Sequence, residues 1–415
     1  MPWLRTVVVS LAMALLLCAC TTDPPLRRNA PPPGAGVTRT FADDLAQSLD
    51  APMTDGNRIE TLINGDEIFP SMLDAIRQAT NSITFENFIW RSGALSDQFI
   101  QSLSERARSG VDVRVLIDAF GAIEFNNSDE RRLRETGVRL VKYNPLWQVW
   151  DWNHRTHRKL MVVDGRIGFI GGACVGDTWL GNAEREPLWR DTHYRIEGPV
   201  VAQIQRTIQT NWFEMTGQCF PEAKRAPSLE NAGRSVADCF CSGPNEGRHN
   251  AHQSYVEAIR AAKKSIRLQH SYFVPDRSSI RALVAARERG VRVEVMTPGV
   301  IHANVVRRAS RSLWEPLIDA GVEFYEFQGS RFHCKLMIVD DAWVSVGSIN
   351  FDERSFHIND EANLQVLDPE FAAKQIAMFE QDKLRTLRVT RESYKRRGVW
   401  IRLVENCYGL FRSVL

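Results

Sequence analysis

An excess of charge of either sign is missing: 52 Lys and Arg stand against 50 Asp and Glu in 415 residues, a net charge of +2. No overall field is available to grip a polyanion, so nucleic acid is not the expected partner and any anion recognition has to be local. Cysteine is sparse at eight residues, which excludes a small disulfide scaffold. The apolar run from Val7 to Leu17 is too short for a comfortable membrane span. No cluster of carboxylates suggests a catalytic metal, and no cofactor is expected. With 44% hydrophobic and 25% charged residues, the chain is neither disordered nor collagen-like. It is long enough for two domains, each with its own core.

The amino terminus reads as an address. Arg5 precedes the apolar run, and small residues follow it, the layout of a secretory signal over 1–20. Leu17-Cys18-Ala19-Cys20 resembles the bacterial lipobox, which implies lipidation of Cys20. An uncleaved signal anchor is the alternative. Residues 21–40 carry five prolines and two glycines and read as a semi-extended tether. Thr21 stands where a lipoprotein retained at the inner membrane would have Asp. The expected location is therefore the exported, periplasmic side of a bacterial envelope, at the outer membrane.

The body contains an internal repeat. SMLDAIRQATNSITFENFIW (71–90) parallels SYVEAIRAAKKSIRLQHSYF (254–273), and RARSGVDVRVLID (106–118) parallels RERGVRVEVMTP (287–298). ETGVRLVKY (135–143) matches DAGVEFYEF (319–327). Each block runs from a helical pattern into a strand, which predicts an α/β fold with a largely buried sheet in each half. The expected organisation is a first domain over 41–216, a linker over 217–250 rich in Pro, Gly and Ser, and a second domain over 251–388. Cys219 pairing with Cys239 or Cys241 would make a surface disulfide in that linker. A metal set of Cys239, Cys241, His249 and His252 is the weaker alternative, because its spacing matches no common zinc module.

The repeat ends in a duplicated motif. His157-x-Lys159 runs through Leu-Met-Val-Val to Asp164, with Gly171-Gly172 downstream. His333-x-Lys335 runs through Leu-Met-Ile-Val to Asp340, with Gly347-Ser348-Ile-Asn350 downstream. Side chains two apart share a strand face, so each His–Lys pair points one way. Asp164-Gly165 and Asp340-Asp341 suit tight turns into return strands. The glycines let backbone come close to a bound group. Two histidines and two lysines on one point suit a phosphodiester. The lysines neutralise non-bridging oxygens, one imidazole attacks phosphorus, and the other moves protons.

These motifs resemble the phospholipase D superfamily, whose signature is HxKxxxxD with a downstream GSxN, twice per site. The resemblance covers about residues 59–385. It implies two tandem domains about a pseudo-two-fold axis, sharing one active site. It makes catalytic residues of His157, Lys159, Asp164, His333, Lys335 and Asp340, although the two aspartates also read as turn and salt-bridge residues. Either histidine could be the nucleophile, with His157 preferred. Gly171, Gly172, Gly347, Ser348 and Asn350 would meet substrate. Glu361 and Asp191 would orient the histidines. Cys174 stands where the family has a second Asn, and a thiol replaces an amide poorly.

Within the superfamily, NGDEIFPSMLDAI, HRKLMVVDGRIGFIGG and SFHINDEAN are similar to bacterial cardiolipin synthases. The implied reaction is phosphatidyl transfer between two phosphatidylglycerol molecules through a phosphohistidine. Hydrolysis to phosphatidic acid uses the same residues and stays open. A nuclease activity is disfavoured by the near-neutral charge. The implied partner is a phospholipid membrane. Trp147, Trp150 and Trp152 form a candidate lipid-entry lip, with core packing the alternative. Over 389–415, Trp400, Leu403, Val404, Cys407, Phe411 and Val414 fall on one helical stripe behind Lys395, Arg396 and Arg397. That predicts a basic amphipathic helix, lying on anionic lipid or packed on the protein body.

Overall fold

The computed structural model describes residues 30–145, 153–220, 230–299 and 304–409. Cys20 and Trp147, Trp150 and Trp152 lie outside these residues, as do Phe411 and Val414. Fifteen strands form one continuous mixed sheet made of two similar halves. In the first half the order runs Arg139–Tyr143, Asp112–Asp118, Ser82–Asn87, Lys159–Val163, Ile167–Gly171, Thr192–Glu197, Thr54–Ile63. The second half continues with Ser235–Ser242, Glu361–Leu367, Trp343–Gly347, Lys335–Val339, Ser265–His270, Arg292–Pro298, Glu323–Phe327 and the additional strand Thr386–Val389. The halves join where Thr54–Ile63 meets Ser235–Ser242 antiparallel, at a register shift between Thr54 and Asn57.

This junction lies inside the segment expected to be a linker. The region read as a linker contains Ser235–Ser242, the second half's counterpart of Thr54–Ile63, and ends at a helix that starts at Asn250. Its Gly/Ser-rich flanks hid a strand whose sequence, SVADCFCS, alternates only weakly. The presumed disulfide is also overturned, since Cys219, Cys239 and Cys241 are all free. Cys239 is packed into the core between the halves, and Cys241 meets the Thr207 hydroxyl at 3.0 Å. The rival metal set disperses as well: His252 pairs with Asp276 at 3.1 Å and His249 with His357 at 3.0 Å.

At the amino-terminal side, residues 30–37 are not a free tether. The Gly34 and Gly36 amides bond to the carbonyls of Arg260 and Ala261, and Val37 is buried. The helix Arg39–Ser48 follows, capped by the Thr38 hydroxyl. Its Phe41 and Leu45 pack with Tyr255 and Val256 of the second half, not with the first.

Both motif strands are buried on two sides. Leu160 and Val162 face a layer shared with Leu336, Ile338, Val344 and Leu364. Met161 and Val163 face the first half's own helix layer, and Met337 and Val339 face the second's. The apolar runs therefore follow from burial on both faces, as parallel and mixed α/β sheets require.

The motif aspartates sit at the far ends of these strands from the lysines and take no part in the site, contrary to the catalytic expectation. Asp164 (φ 52°) with Gly165 (φ 64°) and Asp340 (φ 52°) with Asp341 (φ 56°) make the tight turns. The Asp164 carboxylate accepts from the amides of Thr80, Asn81 and Ser82 at 2.7–2.9 Å. Asp340 accepts from Lys263, Lys264 and Ser265 in the same way. Each tethers the end of a preceding helix to its sheet. Asp164→Ala should therefore lower stability by about 1–3 kcal/mol, through the loss of its hydrogen bonds from three backbone amides to a charged carboxylate. A denaturant titration measures this, and turnover by the folded variant should stay within about twofold. A loss of kcat without loss of stability would return Asp164 to the chemistry.

Candidate active site

Each motif strand begins at the carboxyl end of its half's first parallel strand, with Lys159 opposite Asn87 and Lys335 opposite His270. That is where open α/β sheets leave a crevice. Short parallel pairings stitch the halves together there: Thr156 with Asp360, and Arg331–Phe332 with Trp189–Arg190. The His157 amide bonds to the Asp360 carbonyl and the His333 amide to the Arg190 carbonyl, both at 2.8 Å.

These stitches exchange the acids between the halves. His157 Nδ1 lies 3.0 and 3.1 Å from the two carboxylate oxygens of Glu361, in the second half. His333 Nδ1 lies 2.8 Å from Asp191 Oδ2, in the first. Both rings are buried, and with Nδ1 held by the acid in each, Nε2 is the nitrogen left for chemistry. Neither half by itself contains a motif histidine together with the acid that holds it.

The lysines lie beneath. Lys159 Nζ donates to the His157 carbonyl and sits 5.2 Å from the Phe88 ring centroid. Lys335 Nζ donates to the His333 carbonyl at 2.7 Å and to the Ser271 hydroxyl at 3.3 Å. Ser271 also donates to Asn350 Oδ1 at 2.9 Å, which joins Asn350 to the lysine. Burial, then the charges of Lys159 and Lys335, holds His157 well below the ordinary imidazole range. Burial and Lys335 bring His333 down to about 3, with Lys159 adding to the effect. Each lysine thus acts on the other half's histidine, and both rings rest neutral.

The two acids differ. Burial pushes Glu361 up to about 7, although Ser348 and Ser355 donate to it at 2.5 and 2.7 Å. Burial also works against the charge on Asp191, but the imidazole of His333 holds that carboxyl below the usual range. Trp179 Nε1 donates to it at 3.0 Å. Burial lowers Lys335 to about 8.

Four expected substrate contacts have other duties. Ser348 binds Glu361, so its hydroxyl is not turned to a phosphate. A Cβ on Gly172 would lie 2.1 Å from Asp191 Oδ1, one on Gly171 2.6 Å from the His193 backbone, and one on Gly347 2.3 Å from the Ala362 carbonyl. These glycines admit the orienting acid and the neighbouring strand. Asn350 alone of that group stays beside a lysine. The sequence reading also missed Phe88, Ser271, Ser355 and the indoles of Trp179 and Trp189, which flank His333 at 5.8 and 5.1 Å. The repeat held the signal for two of these, because Phe88 and Ser271 occupy equivalent positions in its halves.

The family model described as the phospholipase D-like domain of cardiolipin synthase matches residues 72–212 and 255–383. The chain belongs to that family. It is thereby an enzyme of the phospholipase D superfamily. Cardiolipin synthase 2 of Bacillus anthracis is 33% identical over 360 residues, covering 86% of this chain and 70% of that relative. The probable cardiolipin synthase YwiE of Bacillus subtilis is 33% identical over 363 residues, covering 86% and 72%. Among solved structures, phosphatidylserine synthase of Haemophilus influenzae superposes with a TM-score of 0.66 at 15% identity, over 91% of this chain and 100% of that one. That last likeness is one of fold.

Gly172→Ala tests the exchanged pair without touching a polar group. The added methyl must displace Asp191 from His333, so kcat should fall by roughly 10²-fold, the scale of a lost general acid–base contribution. The displaced carboxylate also loses Trp179 and stays buried, so the melting temperature should fall as well, and kcat is compared at a temperature where both proteins are folded. An unchanged kcat would show that His333 works without Asp191.

Proposed function

We propose that this phosphatidyltransferase moves a phosphatidyl group from one phosphatidylglycerol to the hydroxyl of another, releasing glycerol and forming cardiolipin. The reading rests on family membership and on one observation: two neutral imidazoles, each fixed at Nδ1 by the opposite half's acid, beside two buried lysines. His157 Nε2 attacks phosphorus, and the bond to the glycerol oxygen breaks. His333 supplies the proton to that departing alkoxide, taken up when the anionic diester enters and favours the imidazolium. In the second step His333 removes the proton of the incoming alcohol, which displaces phosphorus from His157. Lys159, Lys335 and Asn350 hold the non-bridging oxygens as charge builds. Glu361 steadies the positive charge that develops on the phosphorylated ring.

The assignment of His157 as nucleophile follows the shape of its surroundings. Phe88 packs 5.0 Å from its ring, and Cys174 stands where the second half has Asn350. The first half-site thus presents an imidazole against an apolar wall, whereas the second presents Lys335, Ser271 and Asn350 to a phosphate. A lipidated Cys20 and the segment behind it would keep the enzyme at its substrate, on the exported side of the envelope.

Purified enzyme with phosphatidylglycerol vesicles should yield cardiolipin and glycerol. Phosphatidic acid as the sole product would replace transfer by hydrolysis. With phosphorus-labelled lipid, His333→Ala should retain label on residue 157, and label absent there but present on His333 of a His157→Ala variant would reverse the order. The pH dependence of kcat/KM follows from the two shifted groups. Glu361 at about 7 loses its charge below that value, and Lys335 at about 8 loses its charge above it. A narrow bell between those limbs is expected from initial rates. A profile without an acidic limb would remove Glu361 from the role given to it.

A further inference from the structure

The helix Val399–Gly409 is docked inside out. Its Glu405 is buried, 3% exposed, between Arg311 at 3.3 Å and Arg397. Arg397 in turn lies over the Tyr394 ring, 3.4 Å from its centroid, so it is not a free basic residue on the outer face. Tyr408 packs against Arg308 at 5.8 Å. These polar contacts fix the helix on its neighbour Asn304–Ser312 and leave its apolar stripe in water. Val399 is 80% exposed, Trp400 78% and Leu403 52%, and Cys407 on the same stripe is exposed. A helix packed on a protein body normally turns that stripe inward. Each large apolar side chain left in water forgoes the gain of burial, so the arrangement calls for an apolar partner outside the chain.

The position of the stripe indicates which partner. Asn304–Ser312 follows the strand Arg292–Pro298, and its Ser310 and Arg307 line a small pocket with Ser271, the residue that holds Lys335 and Asn350. In the first half the equivalent strand, Asp112–Asp118, is followed by a loop with Phe120 55% and Ile123 61% exposed. That loop presses on Phe88, since a Cβ on Gly121 would lie 2.0 Å from the Phe88 carbonyl. Phe88 borders His157. The two exposed apolar groups therefore leave the same ends of pseudo-equivalent strands, one on each side of the catalytic cleft. Arg402 is exposed beside the stripe, as is Arg396 in its ion pair with Glu392, so the border carries a net positive charge through Arg402, which suits anionic headgroups and opposes a second copy of the same surface.

We propose that the outward stripe of Val399–Gly409, with Phe120 and Ile123 across the cleft, is a docking face for an anionic phospholipid bilayer. It seats the shared site at headgroup depth, with Trp400 in the interfacial region that tryptophan favours. This rests on the phospholipid reading of the site and adds the surface through which the lipid is reached. Acyl chains would enter along Phe120, Ile123 and Phe88, and the phosphate would meet Lys335, Ser271 and Asn350.

The native Cys407 supplies a probe. In the full chain carrying Cys18→Ser, Cys20→Ser and Cys219→Ser, an environment-sensitive dye on Cys407 should shift to the blue with phosphatidylglycerol vesicles. A quencher attached to the acyl chains should reduce its emission at least twofold. Trp400→Asp with Leu403→Asp should abolish that quenching and lower turnover of vesicle lipid at least tenfold, while a soluble chromogenic diester is turned over as before. An unquenched dye overturns the docking face, whether or not lipid is consumed. A blue shift that grows with protein concentration in the absence of lipid assigns the stripe to a second copy and overturns it too. A quenched dye with no lipid product leaves the docking face standing and refutes the proposed function instead.

Discussion

The structure depends on the exchange of carboxylates between two imidazoles. His157 is held by Glu361 and His333 by Asp191, and each bond crosses from one half of the chain to the other. Burial disfavours charge on every one of these groups, so a half standing alone would leave a carboxyl or an imidazole unpaired in a dry cleft. Docking the halves and completing the site are one event. The parallel bridges at Thr156–Asp360 and Arg331–Trp189 set the register in which the exchange occurs. The apolar layer of Leu160, Val162, Leu336 and Ile338 supplies the burial that holds it.

The pseudo-symmetry is incomplete, and its failures are grouped. Phe88 and Cys174, both part of the first half's apolar layer, stand against Ser271 and Asn350, which hydrogen-bond to each other in the second. Ser271 bonds to both Asn350 and Lys335, whereas Phe88 lies against both His157 and Lys159. A thiol opposite a phenyl ring costs nothing, but an amide there would lack the hydroxyl that orients it. The acids follow the same division. Burial raises Glu361 to about 7 despite its serine partners, while His333 holds Asp191 below the usual carboxylate range. Two groups separated in this way can take different roles in one reaction.

The duplicated motif was legible because its function imposes a short-range pattern: His, Lys and the turn Asp occupy positions along one strand. The repeat was legible because each half must build the same helix-and-strand layers. The part played by Gly172 was not legible, since its reason is a carboxylate nineteen positions away in the chain. Ser235–Ser242 escaped because a strand covered on both faces carries little alternation and its loops resemble a linker. The stripe at Trp400 and Leu403 was visible as periodicity, but periodicity does not reveal which side of a helix the protein keeps.

The sequence by itself determined the α/β class, the two-half organisation, the superfamily and the paired His–Lys side chains that the fold brings together. These follow from local spacing, from burial patterns and from the reactivity of imidazole and ammonium groups. Only the tertiary structure decided which acid serves which histidine, that the motif aspartates bind backbone amides at the far strand ends, and that the last helix faces outward. Those outcomes depend on contacts between residues up to about two hundred positions apart, and a hydrogen bond or an ion pair has no counterpart in one-dimensional spacing.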